Sequence, residues 1–360
     1  MNYIIFEPTN IERFYPFSLT RPLGEMRIFG GTIKEIWEKI LNQKVSYLTR
    51  SYLSHLYPTK WESDNILIPT LYFTEFIDFI NEPDLIKKKL KKISIKSTEC
   101  NLEEIQKKWS SVAKDSNLIF NDLTDLIYKL KNNNYFLSKK STIDCSKSPL
   151  LNDDDGPIII EDDVTIMEGA MIRGPVQICK GSVIKMGAKI YGPTVIGPYC
   201  KIGGEVSRCI FFGFSNKAHE GFLGDSIIGE WCNIGAGTSN SNLKNNYDNV
   251  KMWDYSKNCF KDTGKQFLGM YMGDHTKCSI NSSINTGSTI GVSCNIFGSG
   301  FPRNYISSFS WGGAAGFKQY NIENAIKTAK IVMKRRDIEM SQEYELMFRK
   351  VFDMTQIYRI

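Results

Sequence analysis

Between Ile160 and Ile202 an isoleucine returns every six residues, at Ile160, Ile166, Ile172, Ile178, Ile184, Ile190, Ile196 and Ile202. The fourth residue after each, Val164, Ala170, Val176, Ser182, Ala188, Thr194, Cys200 and Val206, is small. Six matches neither the 3.6-residue helix period nor the simple alternation of a flat strand. Each hexad offers one large and one small inward position, and the pattern predicts a triangular parallel β-helix with one hexad per face. It resumes at Phe222, Ile228 and Ile234, with Ser226, Cys232 and Thr238 in the small positions. It resumes again at Met272, Cys278, Ile284, Ile290 and Ile296, with Thr276, Ser282, Ser288, Cys294 and Gly300 behind them. These sixteen hexads amount to a little over five coils.

In such an array short strands pair with the coils above and below, and the isoleucines fill the axis. Gly181, Gly187, Gly235 and Gly291 are free to take the positive φ of tight corners. Hexad repeats of this kind coil left-handed, against the usual crossover rule. The polar run 152–157 precedes the first hexad and marks a boundary. The expected organisation is an α/β domain over 1–147, the left-handed parallel β-helix over 156–305, and a loop with one or two C-terminal helices over 306–360 that cap or wrap the prism end. Within the first domain, Tyr3 to Phe6 reads as a strand. Thr32-Ile-Lys-Glu35 is a capping box opening a helix with Ile33, Ile36, Trp37 and Ile40 on one face, and 43–49 reads as a further strand.

Composition narrows the chemistry by exclusion. At 360 residues and 42% hydrophobic the chain holds two or three compact units. The net charge of +6 is dispersed, and the one dense basic stretch, Lys87 to Lys92, reads as the solvated face of an amphipathic helix, so no nucleic acid is expected. No apolar run reaches membrane-spanning length and the first ten residues lack a signal-peptide pattern, so a cytoplasmic protein without membrane contact is expected. Nine cysteines without a Cys-x-x-Cys pair argue against disulfides and zinc, and His55, His219 and His275 are dispersed. No metal site is expected.

Unbroken hexads make a featureless prism, so chemistry is sought where the period breaks. One break, 207–221, ends in Lys217-Ala-His219; another, 240–271, carries a polar segment to Tyr247. Lys217-Ala-His219, Phe222-Leu-Gly-Asp225, Ile228-Gly229 and Asn233-Ile-Gly-Ala-Gly-Thr238 resemble the acetyltransferase half of the bifunctional glucosamine-1-phosphate acetyltransferase / N-acetylglucosamine-1-phosphate uridylyltransferase family, within the hexapeptide-repeat acyltransferases. The whole chain resembles the short, Bacteroidetes-type relatives more closely still. Met167-Glu-Gly-Ala, Ile172-Arg-Gly-Pro, Gly203-Gly-Glu-Val, Ser241-Asn-Leu-Lys-Asn-Asn-Tyr247, Met272-Gly-Asp-His and Phe309-Ser-Trp-Gly-Gly carry that likeness.

The resemblance implies transfer of acetyl from acetyl-CoA to an amino sugar phosphate such as glucosamine-1-phosphate, in UDP-N-acetylglucosamine and cell-envelope precursor synthesis. It implies a homotrimer with acetyl-CoA between adjacent prisms. His219 matches the family's general base, which takes the proton an attacking amine must lose; an imidazole suits that task near neutral pH. By the same resemblance the Ala236 N–H stabilises the oxyanion. Asn233 and Asn242 hold sugar hydroxyls or the acyl carbonyl, and Lys217 and Lys244 balance the phosphate. The family's larger members carry a tyrosine where this chain has Phe222, so either the acceptor differs or a lysine compensates. His275 reads as structural, and His55 carries no signal.

At the N-terminus, Arg13-Phe-Tyr-Pro-Phe-Ser-Leu-Thr-Arg-Pro22 and on to Arg27 resembles the segment just after the glycine loop of sugar-1-phosphate nucleotidyltransferases, yet Glu7-Pro-Thr-Asn-Ile-Glu12 stands where the loop belongs. Such a loop wraps phosphates in backbone N–H groups, and Pro8 has none. Arg13, Arg21 and Arg27 are candidate nucleotide or phosphate clamps, or equally interdomain salt-bridge residues. UTP and Mg²⁺ are ligands only if this domain is active; Asp122 and Asp125 are the nearest carboxylates for the metal. Two further readings stay open: a nucleotidyltransferase whose β-helix only trimerises, and a structural or regulatory β-helix without turnover.

Overall fold

The computed structural model describes residues 1–76, 82–112 and 150–359. Asp122 and Asp125 lie outside the described residues. The chain forms two compact units: one falls before residue 136 but omits Tyr15–Phe17, and the other joins Tyr15–Phe17 to the residues from 136 onward.

The first unit is built on strands Asn2–Phe6, Val45–Leu48, Asn65–Pro69 and Ile95–Ser97. Asn2–Phe6 lies between Val45–Leu48 and Asn65–Pro69, parallel to both, and Ile95–Ser97 adds an antiparallel edge. Helix Ile33–Leu41 opens with the expected capping box: the Glu35 N–H donates to Thr32 Oγ1 at 3.2 Å and the Thr32 N–H to Glu35 Oε2 at 2.7 Å. Ile33, Ile36, Trp37 and Ile40 are buried, as the spacing predicts. Helix Pro83–Ile93 buries Ile86 and Leu90 and exposes most of its lysines.

The second unit is the parallel β-helix. One face runs Leu150–Asn152, Met171–Arg173, Lys189–Tyr191, Glu205–Ser207 and Phe222–Gly224, beyond which Ser239–Asn240 pairs with Ser283–Ile284. The second holds eight strands from Ile158–Ile160 to Tyr305–Ile306. The third runs from Thr165–Ile166 to Ser310–Gly313, closed by antiparallel Gly316–Gln319. The array is therefore longer than the hexad count suggests. It begins before the 152–157 segment and passes through the first break with two strands, Ile210–Gly213 and Asn216–Lys217.

Those strands change the inward register. Phe211 follows Ile196 in the second column, and Lys217 follows Ile202 in the third. Between Ile202 and Glu205 the corner has only Gly203 and Gly204, where the preceding coil has four residues, 185–188. The shortened corner brings Val206 into the large inward position and puts Leu223, not Phe222, in the column behind it. Phe222 points outward with Glu205 as its partner, which corrects its expected place in the column. Gly300, expected in a small inward slot, is exposed.

The small positions between the second and third faces form a hydrogen-bonded ladder of alternating hydroxyls and thiols: Ser182, Cys200, Ser215, Cys232, Thr276 and Cys294. Each hydroxyl donates to a backbone carbonyl and accepts an N–H one coil on. Ser182 gives 2.9 Å to Gly197 O and accepts 3.1 Å from Cys200, and Ser215 gives 2.7 Å to Gly229 O and accepts 2.9 Å from Cys232. Corners turn through left-handed residues: Gly181, beside this ladder, and Gly187, at the corner between the third and first faces, have φ near +67° and +66°, as expected. Gly235 and Gly291 do not; a Cβ there would come within 2.5 Å and 2.3 Å of the next coil's backbone, so close approach is what requires glycine. Along one corner the left-handed residues are aromatic and stack: Tyr199 on Phe214 at 5.2 Å, Phe214 on Trp231 at 4.3 Å, and Trp231 on His275 at 6.2 Å.

Two C-terminal helices, Ile322–Lys334 and Gln342–Met354, start from side-chain caps on Asn321 and Ser341. They run along the prism as well as over its end. Phe348 meets both Phe309 and His275, and Arg336 donates 3.0 Å to Asn216 Oδ1, several coils down.

Candidate active site

The third column explains how the site residues come together. Asn216 pairs with Asn233, which places residues 217–220 one coil below 234–237 at the same corner. The Gly237 N–H donates 2.9 Å to Glu220 O across that step. By that bond Ala236 stands one coil from Glu220, and His219 is the residue before Glu220 at the same corner. The imidazole is exposed, and the Ala236 N–H donates to no group among the described residues, while its carbonyl accepts from Asn281 at 2.7 Å. Asn233 is exposed on one side of the corner, with Lys277 as its partner on the next coil.

Phe222 opens the other side. Its N–H donates 3.1 Å to Ser239 Oγ, and its ring tip lies beside Gly224 and the Asn242 amide: a Cβ on Gly224 would stand 2.6 Å from the Phe222 ring and 2.8 Å from Asn242 Nδ2. Asn242 is oriented by Asp225, receiving its amide at 2.8 Å; the same buried carboxylate takes both arms of Arg208, at 2.8 and 2.7 Å. One of the two Asn242 amide N–H groups is therefore committed and the side chain's orientation is set, which leaves its side-chain oxygen to meet a ligand's donor. Lys244 is half-buried in the inserted segment.

Lys217 is not where a phosphate contact requires it. Its side chain is inside the prism, 1% exposed, and the ammonium donates to the carbonyls of Gly203, at 3.3 Å, and His219. Burial pushes its pKa down to about 8, opposed by Glu220. Strict hexad reading expects an apolar residue there, and the lysine was legible only through the motif.

Three residues of this neighbourhood escaped the sequence reading. Lys277, beside Asn233, donates 2.6 Å to His275 O, and burial pushes it down to about 8; its position one residue before an inward Cys278 carried no signal. Arg208 and Asp225 form the clamp on Asn242, and only the Gly-Asp motif hinted at the acid. His275 is structural, as expected: it is buried, its Nε2 is 2.9 Å from Tyr344 Oη, and its ring stacks on Trp231.

In the first unit the three arginines are dispersed along the segment after the first strand. Arg13 lies in the short helix Ile11–Phe14, Arg21 is buried, and Arg27 is half-buried in strand Arg27–Ile28. The organising cation is Arg50, absent from the expected set. It donates to Glu7 twice at 3.1 Å, to Ser18 O at 2.6 Å and to Arg21 O at 3.1 Å. Glu7 also accepts from Thr49 Oγ1 at 2.7 Å and the Leu23 N–H at 2.9 Å. A buried acid thus ends the first strand.

Comparison with known proteins matches this division. Residues 3–126 fit the sequence model of a family described as sugar nucleotidyl transferase, and residues 157–192 fit six repeats of the bacterial transferase hexapeptide. A bifunctional sugar-1-phosphate nucleotidylyltransferase/acetyltransferase of Sulfurisphaera tokodaii is 35% identical over 39% of this chain and 35% of its own length. The bifunctional protein GlmU of Methanocaldococcus jannaschii is 36% identical over 25% of this chain and 21% of its own, and that of Rippkaea orientalis 33% identical over 26% and 19%. The chain resembles the GlmU-type bifunctional transferases. It spans about a third, or less, of the length of these relatives. Among the described residues no helix is long and apolar enough to cross a membrane.

Proposed function

We propose that the β-helix unit is an acetyl-CoA-dependent N-acetyltransferase acting on an amino sugar phosphate, with glucosamine-1-phosphate the first acceptor to test. The observation that carries the reading is the corner that sets the exposed His219 on the coil next to Ala236, whose N–H donates to no group among the described residues. In the reaction the acceptor amine attacks the thioester carbonyl and its proton passes to His219. The carbonyl oxygen becomes an oxyanion that accepts from Ala236, and collapse expels the coenzyme's thiolate, which takes the proton back. Asn233 and the Asn242 carbonyl oxygen hold the acceptor, with Lys244 the cation for its phosphate. The corner is open to solvent in the single chain, which fits closure by a neighbouring prism in a cytoplasmic homotrimer.

His219→Ala should lower acetyl transfer to glucosamine-1-phosphate at least ~100-fold with the fold and acetyl-CoA affinity retained, because it removes proton transfer and not contacts. Wild-type turnover in this variant returns His219 to a structural role.

The match over 3–126 favours a second activity, sugar-1-phosphate nucleotidyl transfer with UTP and Mg²⁺. The buried Glu7 at the end of the first strand is poorly suited to a phosphate cradle, so any nucleotide there depends on side chains such as Arg13 and Arg27. Titration calorimetry with UTP and Mg²⁺, with and without Arg27→Ala, tests this; binding untouched by the change removes that arginine from the site.

A further inference from the structure

Four corners of the β-helix share one construction. The third residue after the inward one is left-handed, at Gly169, Gly187, Gly237 and Asn281. Where the next coil is regular, the carbonyl before it accepts that coil's N–H, as Glu168 does from Gly187 at 3.0 Å and Ala236 from Asn281 at 2.7 Å. The corner after Lys217 departs from this by one residue. The left-handed residue is Gly221, the fourth, and the Gly237 N–H goes to Glu220 O and not to His219 O. The displaced His219 carbonyl meets the Lys217 ammonium, in a column that is apolar at Ile184, Ile202 and Ile234. An isoleucine at 217 would leave that carbonyl without this donor.

Resting on the acetyltransferase reading, we propose that Lys217 is a positioning residue, an interior tether that holds the corners of Gly203 and His219 together and so sets where the imidazole stands relative to Ala236. It never touches substrate. The shortened corner at 203–204 lies directly beneath, and the ammonium joins the two departures from regular geometry.

The full-length protein is compared with Lys217→Met, of similar length without a donor, and Lys217→Ile, which restores the aliphatic column. Amide hydrogen exchange is followed at Gly203, Glu205 and Gly237, whose N–H groups donate to the carbonyls of Lys217, Gly221 and Glu220, against Gly187 and Asn281 at other corners. The tether predicts exchange at least ~10-fold faster at Gly203, Glu205 and Gly237 alone in both variants, with melting temperature held or raised. It also predicts kcat down at least ~10-fold with the KM for acetyl-CoA within ~2-fold. Unchanged exchange at these three amides in a folded variant overturns it. Should neither variant fold, wild-type protein with ¹⁵N-labelled lysine decides: a solvent-protected Lys217 ammonium signal supports the tether, and its absence overturns it. If the corner loosens while His219→Ala retains full activity, the tether stands and the acetyltransferase reading falls.

Discussion

In the first unit the buried carboxylate of Glu7 is met by two bonds from Arg50, whereas in the β-helix the ammonium of Lys217 is buried against carbonyl oxygens alone. Both groups are buried, and they answer the desolvation penalty differently. Glu7 and Arg50 neutralise each other and tie the 18–23 segment to the first strand, an arrangement whose whole effect is to hold backbone in place. Lys217 has carbonyl partners and no ion pair among the described residues, and burial, only partly opposed by Glu220, brings its pKa down to about 8. A neutralised pair can often be replaced by apolar residues, whereas a cation buried without an ion-pair partner has a desolvation cost that its carbonyl bonds must offset.

The comparison depends on the β-helix core being the apolar column described, and the largest effect tests that. Ile190→Asp puts a carboxylate between Ile172 and Val206 and should unfold the β-helix cooperatively, a cost of several kcal/mol against a marginal total. An unchanged melting curve would contradict the register. Next, Arg50→Met strands Glu7 and should destabilise the first unit by about 3 to 5 kcal/mol, while Glu7→Leu with Arg50→Met recovers much of that loss. Limited proteolysis of the two units separates this from any effect on the β-helix; a double variant as unstable as the single one would show that Glu7 matters for its other partners.

The pH dependence separates the two kinds of charge. Lys217 and Lys277 both have folded pKa values lowered to about 8, so between there and their ordinary value near ~10.4 the unfolded chain binds more protons. Stability therefore rises with pH across that window, on the order of 2 kcal/mol for each lysine, and is unaffected by them below it. Cys278 and Cys294, pushed up by burial to about 12 and about 11, act oppositely in the alkaline range. The readout is thus the difference between wild type and Lys217→Met in denaturant melts at pH 7.5 and 9.5. A parallel pair of curves would mean that Lys217 keeps its ordinary acidity.

The smallest effect concerns specificity. Phe222→Tyr adds a hydroxyl next to Asn242 on the outward side of the strand, and with glucosamine-1-phosphate as acceptor it should lower KM or leave it within ~2-fold. A large rise would point to a different ligand beside that ring.

What could be read from the chain depended on whether a residue's partners were periodic. Ile190 and Ile290 were legible because each coil repeats the last, and so was the capping box at Thr32 and Glu35, a local device. Phe222 was misread because two residues are missing at 203–204, and a period cannot report its own phase change. His219, Ala236 and Asn233 were found through a contiguous motif. Arg50 was invisible because Glu7 is forty-three positions away with no pattern between them, and Lys277 because outward positions of a β-helix carry no compositional signature until a neighbouring coil gives them a role.

The second break has a practical meaning of its own. Strand Asn233–Ile234 pairs directly with Lys277–Cys278, and Ser239–Asn240 with Ser283–Ile284, so the chain leaves the stack and re-enters it in register. The excursion contains an antiparallel hairpin, Lys251–Asp254 with Cys259–Asp262, whose turn between them is largely exposed, and its base is closed where Leu243 bridges Phe267. A cut at that turn severs no rung of the β-helix. The molecule should thus be separable there into two fragments that recognise each other through a complete coil-to-coil edge, a ready-made split protein whose reassembly reports on the stack itself.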